Sequence, residues 1–180
     1  ASGLKLTGVA STIYNPITVS NGANTLTING VAGNNLALNG LVTFGGGTRT
    51  VTVESPVVVG TLGAAYTGAF PFTKSGPGVL ALSNPANNYT GVTTVSDGTL
   101  RPGSTNALSR NSQIDLGSTG TLDINGLSAV TASVIGTGLI TNNSGTAGTL
   151  SIGFDNTPFT FSGRFGSANQ TSTSFNLNKI

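Results

Sequence analysis

The chain is written in short alternating units, each closed by a turn residue. Leu26-Thr27-Ile28, Leu36-Ala37-Leu38, Val51-Thr52-Val53, Leu80-Ala81-Leu82, Leu122-Asp123-Ile124 and Leu150-Ser151-Ile152 each send two apolar side chains one way and one side chain the other. That is the pattern of a half-buried strand. Between such units stand Asn21-Gly22, Asn29-Gly30, Asn39-Gly40, Asp97-Gly98 and Asn125-Gly126, pairs that take up the left-handed backbone of a sharp corner. No stretch sustains a 3.6-residue apolar period, so the sequence reads as all-β. The outer members of each unit, such as Leu26 and Ile28, Leu80 and Leu82, Leu122 and Ile124, are expected inside. The middle residues Thr27, Ala81 and Asp123 are expected outside and tolerant of change.

Composition narrows the chemistry. His, Cys, Met and Trp are all absent, which rules out Cys–His and Ser–His dyads and any His/Cys zinc or haem site. Charged residues make up 7% of the chain, against about 25% in ordinary soluble domains. Thr, Ser and Asn together number 66, so the polar surface is built from neutral hydroxyls and amides. The net charge is +2, and Lys5, Arg49, Lys74, Arg101, Arg110, Arg164 and Lys179 stand singly. Nothing resembles a phosphate-binding stripe, and nucleic acid is not an expected partner. No apolar run approaches the ~20 residues that span a bilayer. The absence of a signal peptide reads as a mature chain or an excised segment. The Thr/Asn/Gly-rich, cysteine-free composition suits an extracellular or bacterial cell-surface protein.

Two architectures use such units. Asn-Gly between alternating runs also signals antiparallel hairpins, whereas in a parallel β-helix the same pairs mark corners between the faces of each coil. Repetition favours the second. Residues 80–100, LALSNPANNYTGVTTVSDGTL, align with residues 4–26, LKLTGVASTIYNPITVSNGANTL. The alignment matches Leu4 with Leu80, Leu6 with Leu82, Tyr14 with Tyr89, Val19 with Val95, Gly22 with Gly98 and Leu26 with Leu100. The expectation is one β-helical domain over residues 1–180, a right-handed parallel β-helix of about eight coils at a ~20-residue repeat. Two related repeats begin near 4 and near 80. The alternative is an antiparallel β-sandwich completed by a strand from a neighbouring subunit.

The second copy carries a family resemblance. Lys74-Ser75-Gly76-Pro77-Gly78-Val79-Leu80-Ala81-Leu82-Ser83, then Asn88-Tyr89-Thr90-Gly91, then Val95-Ser96-Asp97-Gly98-Thr99-Leu100 resembles the autotransporter-associated β-strand repeat, the passenger-associated transport repeat. That family's pattern is K-x-G-x-G-x-L-x-L-x, followed by N-x-Y-x-G and a Thr/Val-rich strand ending in G-x-L. The likeness is good over 72–154 and weaker over 4–40, where Gly78 and Gly91 have no clear equivalents. It implies a passenger-type β-helix, a rigid stalk on a bacterial surface, and a repeat that is scaffold without an active site.

Candidate sites follow. Asp115 and Asp123, at the middle positions of neighbouring units, are the one carboxylate pair placed to stack on an outer face; catalysis there would need a partner acid or base, and no catalytic residue is assigned. Gly45-Gly46-Gly47 lacks the acid of calcium-binding glycine repeats, and Gly136-Thr137-Gly138 lacks the third glycine and helix of a dinucleotide loop. No metal or cofactor is expected. Sequons begin at Asn88, Asn142 and Asn169, possible glycosylation sites. Five of the eight phenylalanines, Phe154, Phe159, Phe161, Phe165 and Phe175, fall in the last 27 residues; they read either as ordinary core of a narrow β-helix or, concentrated at one end, as a cap of the stack or an association surface. Residues 175–180, FNLNKI, resemble FPFTKS at 70–75, and Gly3-Leu4-Lys5-Leu6 resembles the strand that follows it. Head-to-tail stacking of copies into a fibre is therefore expected, with Leu4, Leu6, Phe175, Leu177 and Ile180 at the junction. The expected role is structural. The alternative is an adhesive or carbohydrate-active passenger segment that meets cell-surface glycans.

Overall fold

A computed structural model describes residues 4–7, 10–19, 24–30, 34–44, 49–56, 58–166 and 175–180, with the backbone alone at Leu4 and Phe175. The described residues form twenty strands and no helix. The first coil holds β1 (Leu4–Thr7), β2 (Ser11–Ile13) and β3 (Ile17–Val19). The second holds β4 (Thr25–Asn29), β5 (Leu36–Leu38) and β6 (Val42–Phe44). The third holds β7 (Arg49–Val53), β8 (Val59–Leu62) and β9 (Thr67–Ala69). The fourth holds β10 (Phe72–Ser75), β11 (Val79–Leu82) and β12 (Asn88–Thr90). Then β13 (Thr93–Pro102) and β14 (Gln113–Asp123) each run through two faces without a break, followed by β15 (Ser128–Thr131). The last turns hold β16 (Ser133–Gly136), β17 (Leu139–Thr141), β18 (Gly148–Ile152), β19 (Arg164–Phe165) and β20 (Phe175–Lys179).

Every pairing among these strands is parallel, and each joins one coil to the next. The chain is a parallel β-solenoid of about seven turns, so the antiparallel sandwich is excluded. Three faces repeat. On the first, Leu4, Leu26, Val51, Lys74, Val95, Leu116 and Gly136 stand in register, at successive steps of 22, 25, 23, 21, 21 and 20 residues. The longer early steps are why the chain completes about seven turns where a ~20-residue repeat would give more. On the second face, Leu36, Gly60, Leu80, Leu100, Leu122 and Ile140 line up. The third face is in pieces: β3 with β6, β9 with β12, and β15 with β18 and β20.

The inward columns are one continuous apolar core. Leu26, Ile28, Leu80, Leu100, Leu122 and Ile124 are fully buried, and the core runs from Val19 to Ile152. Each such side chain contributes about 1.5–3 kcal/mol by leaving water. Where a column breaks rank, a neighbour compensates. Gly60 stands in the leucine column of the second face, and a Cβ there would meet Ile28 Cδ1 and Val53 Cγ2. The glycine leaves the room that Ile28 fills.

Two expectations about outward residues are corrected. Ala81 is 5% exposed and Asp123 is 4% exposed. Ala81 is a small side chain in register between Thr61 and Arg101 of the adjoining coils, whose larger side chains flank it. Asp123 turns into a corner, as described below. The pairing of the two long repeats is also shifted by a face. Leu4 stands in the column of Leu26 and Lys74, whereas Leu80 stands in that of Leu100 and Leu122. Residues 4–6 therefore correspond to the strand of Lys74 and not to the strand of Leu80.

The alternation of burial makes a direct test. Leu122→Ala should lose about 2–5 kcal/mol, because the stacked backbone cannot close over the cavity. Thr43→Ala, on an exposed position, should stay within about 0.5 kcal/mol of the parent. Urea unfolding of both variants checks this, and equal shifts would contradict the assigned faces.

Candidate functional site

The most chemically distinctive group of the fold is Lys74. It occupies an inward position between Val51 and Val95 and is 0% exposed. Its Nζ donates to the carbonyl oxygens of Ser75 at 2.8 Å, Gly76 at 2.6 Å and Asp97 at 3.0 Å. An ammonium has three donors and no acceptor, so these three bonds satisfy it. The carbonyls belong to the corners of two successive coils, where the backbone turns too sharply for every C=O to find a strand partner. Gly76 makes this corner with φ +73°, and a Cβ on it would run into the Val53 carbonyl oxygen. Lys74 thus pins the corner of one coil to that of the next from inside. Burial pushes its pKa down to about 8, with the Asp97 carboxylate opposing the shift.

Next to it lies a buried polar ladder on the third face. Asn87 is 6% exposed; its Oδ1 accepts from Tyr66 N at 2.9 Å and its Nδ2 donates to Ala107 O at 2.7 Å. One side chain therefore joins three coils. Tyr89 is buried in the following strand, and its hydroxyl accepts from Thr93 Oγ1 at 3.3 Å. Thr93 Oγ1 lies 3.0 Å from Ser112 Oγ, and Ser109 Oγ donates to Tyr89 O at 2.6 Å. Gly91 closes the turn with φ +99°. Above these, Tyr66, Phe70, Phe72 and Tyr89 stack with centroids 4.7–6.1 Å apart. Tyr66, Phe70 and Phe72 stand close together in the sequence, and Tyr89 joins them from the next coil.

Asp123 has a corner role. Its Oδ1 accepts from Asn125 N at 3.1 Å and from Asn143 N at 3.0 Å, which ties the corner of one coil to the next. Asn125 and Gly126 both have positive φ, 54° and 69°. Asp115 does not stack on Asp123. Both lie on β14, and Asp115 has Thr94 and Ile135 as register neighbours while Asp123 has Thr141. The carboxylate pair expected from spacing is therefore not formed. Among the described residues no three of His, Cys, Asp and Glu gather as a metal site, and no helix is long and apolar enough to cross a membrane.

The sequons fall in different surroundings. Asn88 is exposed and its Oδ1 accepts from Asn111 Nδ2. Asn142 is fully buried; its Oδ1 accepts from Gly126 N at 2.7 Å and Ser144 N at 3.3 Å, and its Nδ2 donates to Thr146 O at 2.8 Å. A glycan on that nitrogen has no place in the folded chain, so Asn142 is corrected from a modification candidate to a corner brace. Asn169 lies outside the described residues.

Of the residues expected at a subunit junction, Leu6 is half-buried against the core, and Leu177 and Ile180 are exposed by 52% and 46%. The side chains of Leu4 and Phe175 lie outside the described set. β20 pairs with β18 on the third face, whereas residues 72–75, which its sequence resembles, lie on the first. The likeness of FNLNKI to FPFTKS does not reflect an equivalent position in the coil. The late phenylalanines divide: Phe159 and Phe161 pack on the core, Phe165 is 50% exposed, and Phe154 carries the Arg110 guanidinium at 4.6 Å.

Together these features define a class: a parallel β-solenoid whose corners are pinned by buried polar side chains. The Passenger-associated-transport-repeat family model matches residues 72–101, the coils that hold Lys74, Asn87, Tyr89 and Gly91. No curated protein and no solved structure matches the chain. Within the matched segment Lys74 and Asn87 brace successive coils, and the asparagine that does so is Asn87, not its exposed neighbour Asn88.

Two outcomes are expected. Asp123→Ala, which leaves two corner N–H groups unpaired, should cost about 2–4 kcal/mol in urea unfolding; a loss below about 0.5 kcal/mol would contradict the bracing role. For Lys74 the sign follows from proton counts. With a folded pKa of about 8 and an ordinary value of 10.5, the unfolded chain binds more protons than the native one between those limits, so stability rises with pH there. The stability of the parent relative to Lys74→Met should therefore grow from pH 7 to pH 10. A difference that stays flat or shrinks would mean that the three carbonyls hold the ammonium better than water does.

Proposed function

We propose that this chain is a passenger β-helix segment of a bacterial surface protein and serves as a rigid, non-catalytic shaft. The observation that carries the reading is the continuity of the inward columns, in register from the first coil to the seventh. A solenoid of about seven turns at the ~4.8 Å spacing of paired strands rises about 34 Å. Each coil rests on its neighbours through backbone bonds, so bending costs hydrogen bonds on at least one face. The family match over 72–101 supports a secreted or cell-surface setting.

The same reading extends to self-association. Among the described residues β1 pairs with β4 alone and β20 with β18 alone, and Leu177 and Ile180 are half exposed beside β20. The chain path runs from the third face to the first at every coil boundary, so a second copy set on β20 would present β1 to the first face. Stacked copies would bury Leu6, Leu177 and Ile180 between them.

Fusing the chain between an epitope tag and an outer-membrane export barrel tests the role. The tag should reach the cell surface, and the segment should resist a protease dose that removes an unstructured linker of equal length. Retention inside the cell, or cleavage at the linker's rate, would sink the shaft reading. Light scattering and electron microscopy of the purified chain test the stacking arm: unbranched rods growing with concentration support it, and a strict monomer at high concentration refutes it.

A further inference from the structure

The third face is interrupted twice, and its first break falls between two strands that stand on neighbouring coils. Strands β6 and β9 lie on adjacent coils of that face but do not pair, whereas β3 pairs with β6 and β9 with β12. At the break, the N–H of Val42 donates to the Tyr66 hydroxyl at 3.3 Å, a side chain standing in for the missing backbone partner. A cavity of about 220 Å³ opens there, lined by both strands and by Leu41, Arg49, Tyr66 and Phe70.

The lining is chemically selective. Arg49 is its one charged residue, and its guanidinium lies 4.7 Å from the Phe70 ring centroid. Its Nη1 makes a long 3.5 Å bond to Pro71 O, and the one ion pair among the described residues is Lys5–Glu54. The guanidinium fork is thus held in place by the ring and lacks a carboxylate partner there. Tyr66 is 3% exposed. Its hydroxyl accepts from Val42, and its own proton has no acceptor among the described residues. Burial pushes its pKa up to about 12, so it stays a donor across the physiological range. Exposed Thr43 and Thr67 add hydroxyls at the rim, and Leu41, 45% exposed, adds an apolar wall.

We propose that this break in the third face is a binding site for one ring of a carboxylated sugar. The fork of Arg49 matches a planar carboxylate in bidentate geometry. Tyr66 donates to a ring or hydroxyl oxygen, the two threonines exchange hydrogen bonds with further hydroxyls, and Leu41 meets the C–H face. Size fits the same class, because pockets for drug-sized ligands begin at about 300 Å³ and this one holds 220 Å³. The site occupies one gap between coils and leaves the inward columns intact, so it is independent of the shaft role.

Isothermal titration of the whole chain with galacturonic acid and its short oligomers, against galactose, tests the assignment. The acid should bind saturably at one site per chain, and galactose at least tenfold more weakly. Arg49→Gln should weaken the acid at least tenfold with the melting temperature held within about 2 °C. Thr67→Val, on the exposed rim, should weaken it several-fold, which keeps the test valid if Arg49→Gln disturbs the fold. Lys5→Gln, on the first face outside the cavity, should change nothing. No saturable binding, equal binding of the neutral sugar, or undiminished binding by Arg49→Gln in a folded protein would each overturn the proposal.

Discussion

Parallel backbone pairing in register between successive coils is the interaction on which everything else in this molecule rests. Along the first two faces the inner strands' N–H and C=O groups are satisfied by the coil before and the coil after, so neither the spacing nor the register of one coil can change alone. Side chains must conform to that ladder. Inward positions become columns in which like stacks on like, and any departure must be resolved by its immediate neighbours. Gly60 is resolved by Ile28, whose terminal methyl takes the vacant space. Lys74 is resolved by three carbonyl oxygens that the corners would otherwise leave short of partners. Even an added residue is absorbed locally: the register between β13 and β14 shifts between Val95 and Asp97, a bulge at the corner that leaves both flanking columns aligned.

The corners explain why a chain so poor in charge and aromatic residues is so rich in Asn, Ser and Thr. Short polar side chains reach backbone groups of the next coil without leaving their own corner. Asn87, Ser109, Ser112, Asp123, Thr131 and Asn142 are all buried, and each bonds to backbone of another coil. A buried polar atom is costly unless it is paired, and here the pairing partner is supplied by the repeat itself. The family match over residues 72–101 covers two of the buried braces, Lys74 and Asn87, which gives a physical meaning to the lysine and asparagine of the repeat.

Much of the fold is legible in the sequence, since Leu-x-Leu and Val-x-Val units separated by Asn-Gly admit little besides short strands and sharp corners. The face assignment is not, because apolar–x–apolar units serve the first and second faces alike; Leu4 and Leu80 look equivalent and stand in different columns. Polar identity misleads in the same way. A lone lysine reads as surface, yet Lys74 is in the core, and Asp123 and Asn142 read as an outer rung and a sequon while both brace corners. The gap beside Arg49 is invisible in one dimension, because it depends on two strands a coil apart failing to pair. Local pattern reports what each residue can do in a strand; the register of neighbouring coils decides what it does.

That register is open to direct measurement, because the chain contains no cysteine and engineered pairs report without background. Thr99 and Thr121 are register partners on adjoining coils, whereas Thr119 stands opposite Asp97. Partners in paired strands lie within the ~4.4–6.8 Å Cα separation that a disulfide bridges, and residues two positions off lie beyond it. The double variant Thr99→Cys/Thr121→Cys should therefore oxidise to an intramolecular disulfide under mild conditions, and Thr99→Cys/Thr119→Cys should remain reduced. A bond in the second variant and none in the first would contradict the parallel, in-register stacking on which this account is built.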